Sequence, residues 1–118
     1  MPLPGTDNSG NMLEGVNRAE PVVQVTAAGS VLANAAALAE GLNLVAGADG
    51  TKGVILPAGR PGATVYVANP TGSTLKVYPP VNGTINNGSA NASVNILTVK
   101  MHTFKAVSAG NWWQTISG

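Results

Sequence analysis

Few residues in this chain of 118 could carry acid–base, nucleophilic or metal chemistry. His102 is the one histidine, and the chain has no cysteine. General acid–base catalysis needs a second ionisable group within hydrogen-bond reach of the first. The acidic residues share no motif; they are Asp7, Glu14, Glu20, Glu40 and Asp49. The sequence therefore predicts a protein that is not an enzyme, with no catalytic residue and a structural or surface role for His102.

Metal and cofactor sites are not expected either. A zinc site takes three or four protein ligands, more than one histidine and scattered acids can supply. The segment Gly59-Arg60-Pro61-Gly62 lacks the Gly-Lys-Ser/Thr ending and the following helix of a phosphate-binding loop, so it is interpreted as a turn. The lysines and arginines are spread along the chain instead of forming a basic face, and no nucleic-acid partner is predicted.

The low charge of the chain is its most informative bulk property. Charged residues make up 9% of it, against about 25% in an ordinary globular domain. Its net charge is +1, and a net charge near zero promotes association. The composition favours a protein that hides much of its surface in permanent contacts; the alternative is a secreted or thermostable monomer with a Thr/Asn/Ser surface.

The hydropathy pattern predicts no membrane contact and no secretion signal. The longest apolar stretch, residues 21–48, is broken by polar residues, and a membrane span needs roughly 20 mostly apolar residues. The N-terminus lacks the basic start and apolar run of a signal peptide. We expect a soluble protein made in a cytoplasm.

The elements that position the side chains are predicted to be β-strands from residue 21 onward. β-Branched and alternating runs are separated by Gly, Pro and Asn every 8 to 12 residues, the spacing of a sandwich or small barrel. The segment 31–40 is ambiguous between one or two helical turns and an irregular strand. The predicted strands cover residues 22–26, 42–45, 53–56, 64–68, 74–78, 84–85, 94–98, 101–107 and 112–116.

The runs 64–68 and 74–78 are predicted to form an antiparallel hairpin around the turn Asn69-Pro70-Thr71-Gly72. Val65, Val67, Leu75 and Val77 would share the buried face of this hairpin, and Tyr66 and Tyr78 would share the other face. In the last strand, Trp112 and Trp113 must point to opposite faces, so that one can be core and the other exposed. The predicted interface aromatics are Tyr66, Tyr78, Trp112 and Trp113.

Residues 1–20 have a different composition, rich in Pro, Gly, Asn and acidic residues. They are interpreted as an extended N-terminal arm that orders only on a partner, with a plain disordered terminus as the alternative. Residues 21–118 are predicted to be a single β domain. The apolar residues expected to make the arm's contacts are Leu3, Met12, Leu13 and Val16.

The C-terminal half resembles a β module that is common among tailed-bacteriophage virion proteins. The resemblance is carried by the segments "LPAGRPGATVYVANPTG" and "LKVYPPVNGTINN", by an aromatic strand at Phe104, and by the terminal "AGNWWQT". It covers residues 54–117, roughly half to two-thirds of the chain. The module has no active-site motif that could be carried over to this sequence.

The resemblance implies a trimeric protein on a virion surface. Combined with the turn spacing, it leads us to expect an all-β trimer with a β-sandwich, jelly-roll-like or small barrel fold. The chain lacks the coiled coil or stalk of a fibre, which favours a capsid decoration (cement) protein bound to the major capsid protein. The alternative is a module of a tail fibre or spike, or one that binds host glycans through exposed aromatic side chains.

Overall fold

A computed structural model describes residues 21–115, which contain ten β-strands and a single 3₁₀ turn, Leu32–Asn34. The strands are β1 (Val22–Thr26), β2 (Ala36–Ala37), β3 (Gly41–Ala46), β4 (Gly53–Ile55), β5 (Thr64–Asn69), β6 (Leu75–Tyr78), β7 (Thr84–Ile85), β8 (Val94–Ile96), β9 (Lys100–Ala106) and β10 (Asn111–Thr115). The all-β prediction is confirmed, and each predicted strand is present within two residues of its expected bounds. The ambiguous segment 31–40 contains both the 3₁₀ turn and the short strand β2.

The strands form two sheets. One has six strands in the order β1-β3-β5-β9-β10-β7, and the other has four strands in the order β2-β4-β6-β8. From β1 to β6, successive strands alternate between the sheets, and each lies parallel to the strand two places earlier. This is the winding of a β-solenoid.

The last four strands depart from this winding. β8 lies antiparallel to β6, and β9 antiparallel to β5. β10 then pairs antiparallel with β9, while the two-residue β7 runs parallel to β10 at the sheet edge. The parallel coil is therefore followed by antiparallel strands in both sheets.

The predicted hairpin is wrong. β5 belongs to the six-stranded sheet and β6 to the four-stranded sheet, so residues 64–68 and 74–78 do not pair. The reason lies in the connecting turn, where the buried Asn69 side chain accepts hydrogen bonds from the Thr71 N–H and hydroxyl. Its amide nitrogen donates to the carbonyl oxygens of Ser73, Ile96 and Leu97. These bonds hold the turn against the β8–β9 connection and carry the chain from one sheet to the other.

Both sheets contribute to one hydrophobic cluster. The inward-facing residues of β5 and β6 that were predicted to be buried are all fully buried; they are Val65, Val67, Leu75 and Val77. Val45, Phe104 and Trp112 of the six-stranded sheet and Val54 and Ile96 of the four-stranded sheet join them. The finer prediction of a sandwich or barrel is not confirmed, because the strand connections are those of a coil.

A second buried asparagine, Asn43, stabilises the backbone at the start of β3. Asn43 of β3 is fully buried. Its amide nitrogen donates to the carbonyl oxygens of Ala39, Gly41 and Tyr66, and its Oδ1 accepts from the Ala39 N–H. Because buried backbone polar groups need partners, this side chain takes the place of bonds that the irregular backbone before β3 cannot make itself.

The predicted arm, residues 1–20, and its proposed contact residues Leu3, Met12, Leu13 and Val16 lie outside the described residues. Across residues 21–115, no helix has the length and apolar character needed to span a membrane.

Candidate functional site

Among residues 21–115, the six-stranded sheet is the larger of the two, and its outer face is the candidate contact surface. Side chains alternate between the faces of a strand, so the residues between the buried ones point outward. Those outward residues are Val22, Gln24, Thr26, Leu42, Leu44, Ala46, Thr64, Tyr66, Ala68, Met101, Thr103, Lys105, Asn111, Trp113, Thr115 and Thr84. Among them, Lys105 alone is charged.

Tyr66 and Trp113 are the two aromatic side chains on this outer face. Tyr66 is 37% exposed and Trp113 is 48% exposed. Strand register places Tyr66 opposite Thr103 of β9, and Trp113 opposite Lys105 of the same strand. Both residues were predicted to be interface aromatics, and both are available for contact with a partner.

Tyr78 is not on this surface, which corrects its prediction as an interface residue. It is buried, its hydroxyl donates to the Ser30 carbonyl oxygen at 3.1 Å, and its ring lies against Gly53. The prediction depended on a hairpin with β5 that does not form. Tyr78 instead connects β6 to the loop after β1.

The prediction that Trp112 is an interface residue is also wrong. The expectation that one of the two tryptophans is buried and the other exposed is confirmed. Trp112 is fully buried and Trp113 is exposed. The Trp112 ring packs beside Gly59 and belongs to the hydrophobic cluster. Within residues 21–115 its Nε1–H has no hydrogen-bond acceptor.

His102 faces the protein interior and is 5% exposed. Its Nδ1 pairs with Nε2 of Gln114, whose Oε1 accepts a hydrogen bond from the Asn86 side chain. Burial lowers the pKa of His102, and the nearby positive charge of Lys100 lowers it further. The imidazole is therefore neutral at pH 7. It is held by hydrogen bonds through the side-chain amides of Gln114 and Asn86, which is a structural role.

The described carboxylates have local partners. Hydrogen bonds from the Thr51 hydroxyl, then from the Thr51 and Lys52 backbone N–H groups, lower the pKa of Asp49 to about 2. Asp49 thereby closes the turn between β3 and β4. Glu40 forms an exposed ion pair with Arg60, 3.1 Å between Oε1 and Nη2. Within residues 21–115, no group of three or more His, Cys, Asp or Glu side chains could hold a metal ion.

A groove of about 490 Å³ opens where β3 and β5 begin. The Glu40–Arg60 pair, Thr64 and Tyr66 supply its functional groups, and the turn 61–63 forms part of its wall. Thr64 accepts a hydrogen bond from the Lys105 ammonium, 3.0 Å between Nζ and Oγ1. The groove is therefore continuous with the outer face of the sheet.

Comparison with protein families, with curated proteins and with solved structures yields no match for this chain. The resemblance to a bacteriophage virion module stays a prediction.

Sequence reasoning missed the groove because it treated residues 59–62 only as a turn. Glu40 and Arg60 are twenty positions apart, close to one winding of the coil, in which Val22 pairs with Leu42. The signal that could have found the groove is the regular spacing of the strands along the sequence. Val22 pairs with Leu42, and Leu42 in turn pairs with Tyr66, so equivalent positions recur at similar intervals. The buried asparagines carried no such signal in the sequence.

Proposed function

We propose that this protein is a capsid decoration protein of a tailed bacteriophage. In this role it binds the outside of the capsid as a homotrimer, bridges neighbouring major capsid proteins and catalyses no reaction. The virion assignment comes from the resemblance of residues 54–117, and the assembly from the low charge of the chain.

The observation that carries the proposal is the outer face of the six-stranded sheet. Its outward positions hold apolar or uncharged polar side chains, with Lys105 as the exception. Ordinary exposed sheet faces are polar, and charged residues are depleted at the centre of protein interfaces. This face has the composition of a contact surface.

Such a protein acts through binding energy alone. Apolar area removed from water contributes about 25 cal/mol per Å². Because the trimer would bind the assembled shell and not its separated subunits, it shifts the equilibrium towards the shell by mass action. The predicted arm, residues 1–20, would add contacts at an entropic cost.

We also propose a finer architecture for the described strands. The two sheets face each other across one core, as in a sandwich, but are connected as a short coil. In this arrangement the outer face of the six-stranded sheet is a single wide surface for the capsid or for a second protomer.

Charge insertion on this face tests the proposal. Thr103→Glu places a carboxylate at the centre of the face, and Asn95→Glu places one at an exposed position of β8 in the other sheet as a matched control. Purified chain is added to capsids of the source virus, and bound protein is measured by co-sedimentation, with the oligomeric state followed by native mass spectrometry. We expect a trimer whose capsid binding is lost in Thr103→Glu and retained in Asn95→Glu. A monomer at high concentration, with no affinity for the capsid, would contradict the proposal.

The exposure of Tyr66 and Trp113 on one face favours a second candidate function. A module of a tail fibre, or another virion protein that binds glycans, would use such rings as platforms for sugars. This function is compatible with the fold and needs no catalytic group.

A further inference from the structure

A row of side chains joins the groove to Trp113. Thr64 lies opposite Lys105 across β5 and β9, and Lys105 lies opposite Trp113 across β9 and β10. Directly opposed side chains have Cβ atoms roughly 5 Å apart, and within this row the Lys105 ammonium donates to the Thr64 hydroxyl. The Glu40–Arg60 pair continues this row on the far side of Thr64.

The two exposed rings lie at different places along this surface. Tyr66 is two residues from Thr64 on the same face, and Trp113 is two strands away. Strand spacing and rise place their Cα atoms roughly 12 Å apart. Lys105 lies on β9, the strand between them, and its ammonium donates to the Thr64 hydroxyl at 3.0 Å.

We infer that this surface binds a short acidic oligosaccharide. The apolar face of a sugar ring stacks on an aromatic side chain, and two separated rings fit a ligand of several sugar units. The Glu40–Arg60 pair supplies an acceptor and a donor for hydroxyl groups, while Lys105 supplies an exposed cation for a carboxylate. The inference deepens the second candidate function and does not depend on the capsid role.

The charges on this surface argue against single-stranded nucleic acid, which also stacks on aromatic rings. A nucleic-acid groove follows the phosphate backbone with many cations. The cations of this surface are Lys105 and Arg60, and Arg60 is already paired with Glu40, so too few cations are present to follow a phosphate backbone. A short oligosaccharide with one carboxylate needs a single cation, which Lys105 supplies, and several hydrogen-bonding groups.

Binding is tested by isothermal titration of the whole chain with sialyllactose, a trisaccharide that carries one carboxylate, and with a neutral trisaccharide. We expect the acidic ligand to bind at least tenfold more tightly than the neutral one. Trp113→Ala is expected to weaken binding about tenfold, the size of one lost aromatic stack. Lys105→Gln is expected to remove the preference for acidic ligands and the salt dependence of binding.

The control is Val81→Ala, which truncates a side chain that is 66% exposed and lies outside the row. It should bind as the unchanged chain does, and circular dichroism should show the same fold for all variants. Equal binding of neutral and acidic ligands, lost in Trp113→Ala, would overturn the acidic specificity while leaving glycan binding in place. No binding of either ligand, or binding unchanged in both Trp113→Ala and Lys105→Gln, would overturn the site itself.

Discussion

Gly59 lies directly against the ring of Trp112. A Cβ atom added at Gly59 would be 2.9 Å from Cζ2 of Trp112 and 2.6 Å from Cβ of Ala106. The Gly59 N–H also donates to the Ala109 carbonyl oxygen at 2.8 Å, which fixes the distance between the two segments. The segment 59–62, which the sequence marks only as a turn, thus closes over the buried tryptophan and forms part of the groove.

Gly59→Ala is therefore expected to destabilise the protein by about 1–3 kcal/mol, the usual cost of overpacking a core. The free energy of unfolding is measured by chemical denaturation. Gly72→Ala is the matched control, because a Cβ at Gly72 would meet no atom within 4 Å. Equal stability of the two variants would show that the contact with Trp112 is looser than described.

Asn43→Ala is expected to destabilise the protein by about 2–3 kcal/mol, since it leaves buried backbone groups around Ala39 without partners. Denaturant unfolding measures the loss. Asn95→Ala, at an exposed position of β8, should change the stability by less than about 0.5 kcal/mol. A loss at Asn43 no larger than that at Asn95 would contradict a clamping role for the buried side chain.

The positions of the strands could be predicted from the sequence, but their partners could not. The run Val22–Thr26 is a strand as expected, because β-branched residues and flanking turns are local signals. The partner of Val22 is Leu42, in a parallel pair that no local pattern specifies. The turn between Thr64–Asn69 and Leu75–Tyr78 is typical of a hairpin. The hydrogen bonds of the buried Asn69 side chain instead direct the chain into the other sheet, so the two strands do not pair.

The candidate site was predictable to the same extent. Strand alternation required Trp112 and Trp113 to face opposite sides, but it could not say which was buried. That choice follows from the contact with Gly59, which is distant in sequence. The groove needed Glu40, Arg60 and Tyr66 to come together from successive windings, and a winding is a property of the whole fold.

Val99 has a backbone φ of 53°, in the left-handed region that β-branched residues disfavour, and its side chain is 72% exposed. Asparagine tolerates this conformation much better, so Val99→Asn is expected to raise the free energy of unfolding by about 1 kcal/mol. Thermal and denaturant unfolding would measure the gain. Val81→Asn, at an exposed valine without a positive φ, should give no gain. A loss of stability in Val99→Asn would mean that contacts of the valine side chain stabilise the protein by more than the backbone strain destabilises it.

His102 should make the stability depend on pH in the weakly acidic range. Burial, and then the charge of Lys100, lower its pKa in the folded protein from the ordinary value of 6.5. Between the two pKa values the unfolded chain binds a proton that the folded chain does not, so stability rises with pH there. The stabilising contribution is complete above pH 6.5 and is lost as the pH falls from there towards the lower folded-state value.

The structural reason is the pairing of His102 with Gln114. Nδ1 accepts a hydrogen bond from Nε2 of Gln114. If Nδ1 were protonated, two hydrogen-bond donors would face each other and this bond would be lost. The Gln114 amide cannot simply turn over, because its Oε1 accepts from Nδ2 of Asn86, whose Oδ1 accepts from the Gln114 N–H. Protonation would therefore disturb the connection between β9, β10 and the loop after β7.

We expect the melting temperature to decrease when the pH is lowered from 7.5 to 5.5. In His102→Gln, most of this decrease in melting temperature should disappear. Asp49 does not contribute in this range, since its pKa is about 2. Differential scanning calorimetry of both proteins in buffers of equal ionic strength measures the effect. A pH dependence that persists unchanged in His102→Gln would assign it to another group, and a melting temperature that rises towards pH 5.5 would contradict the lowered pKa.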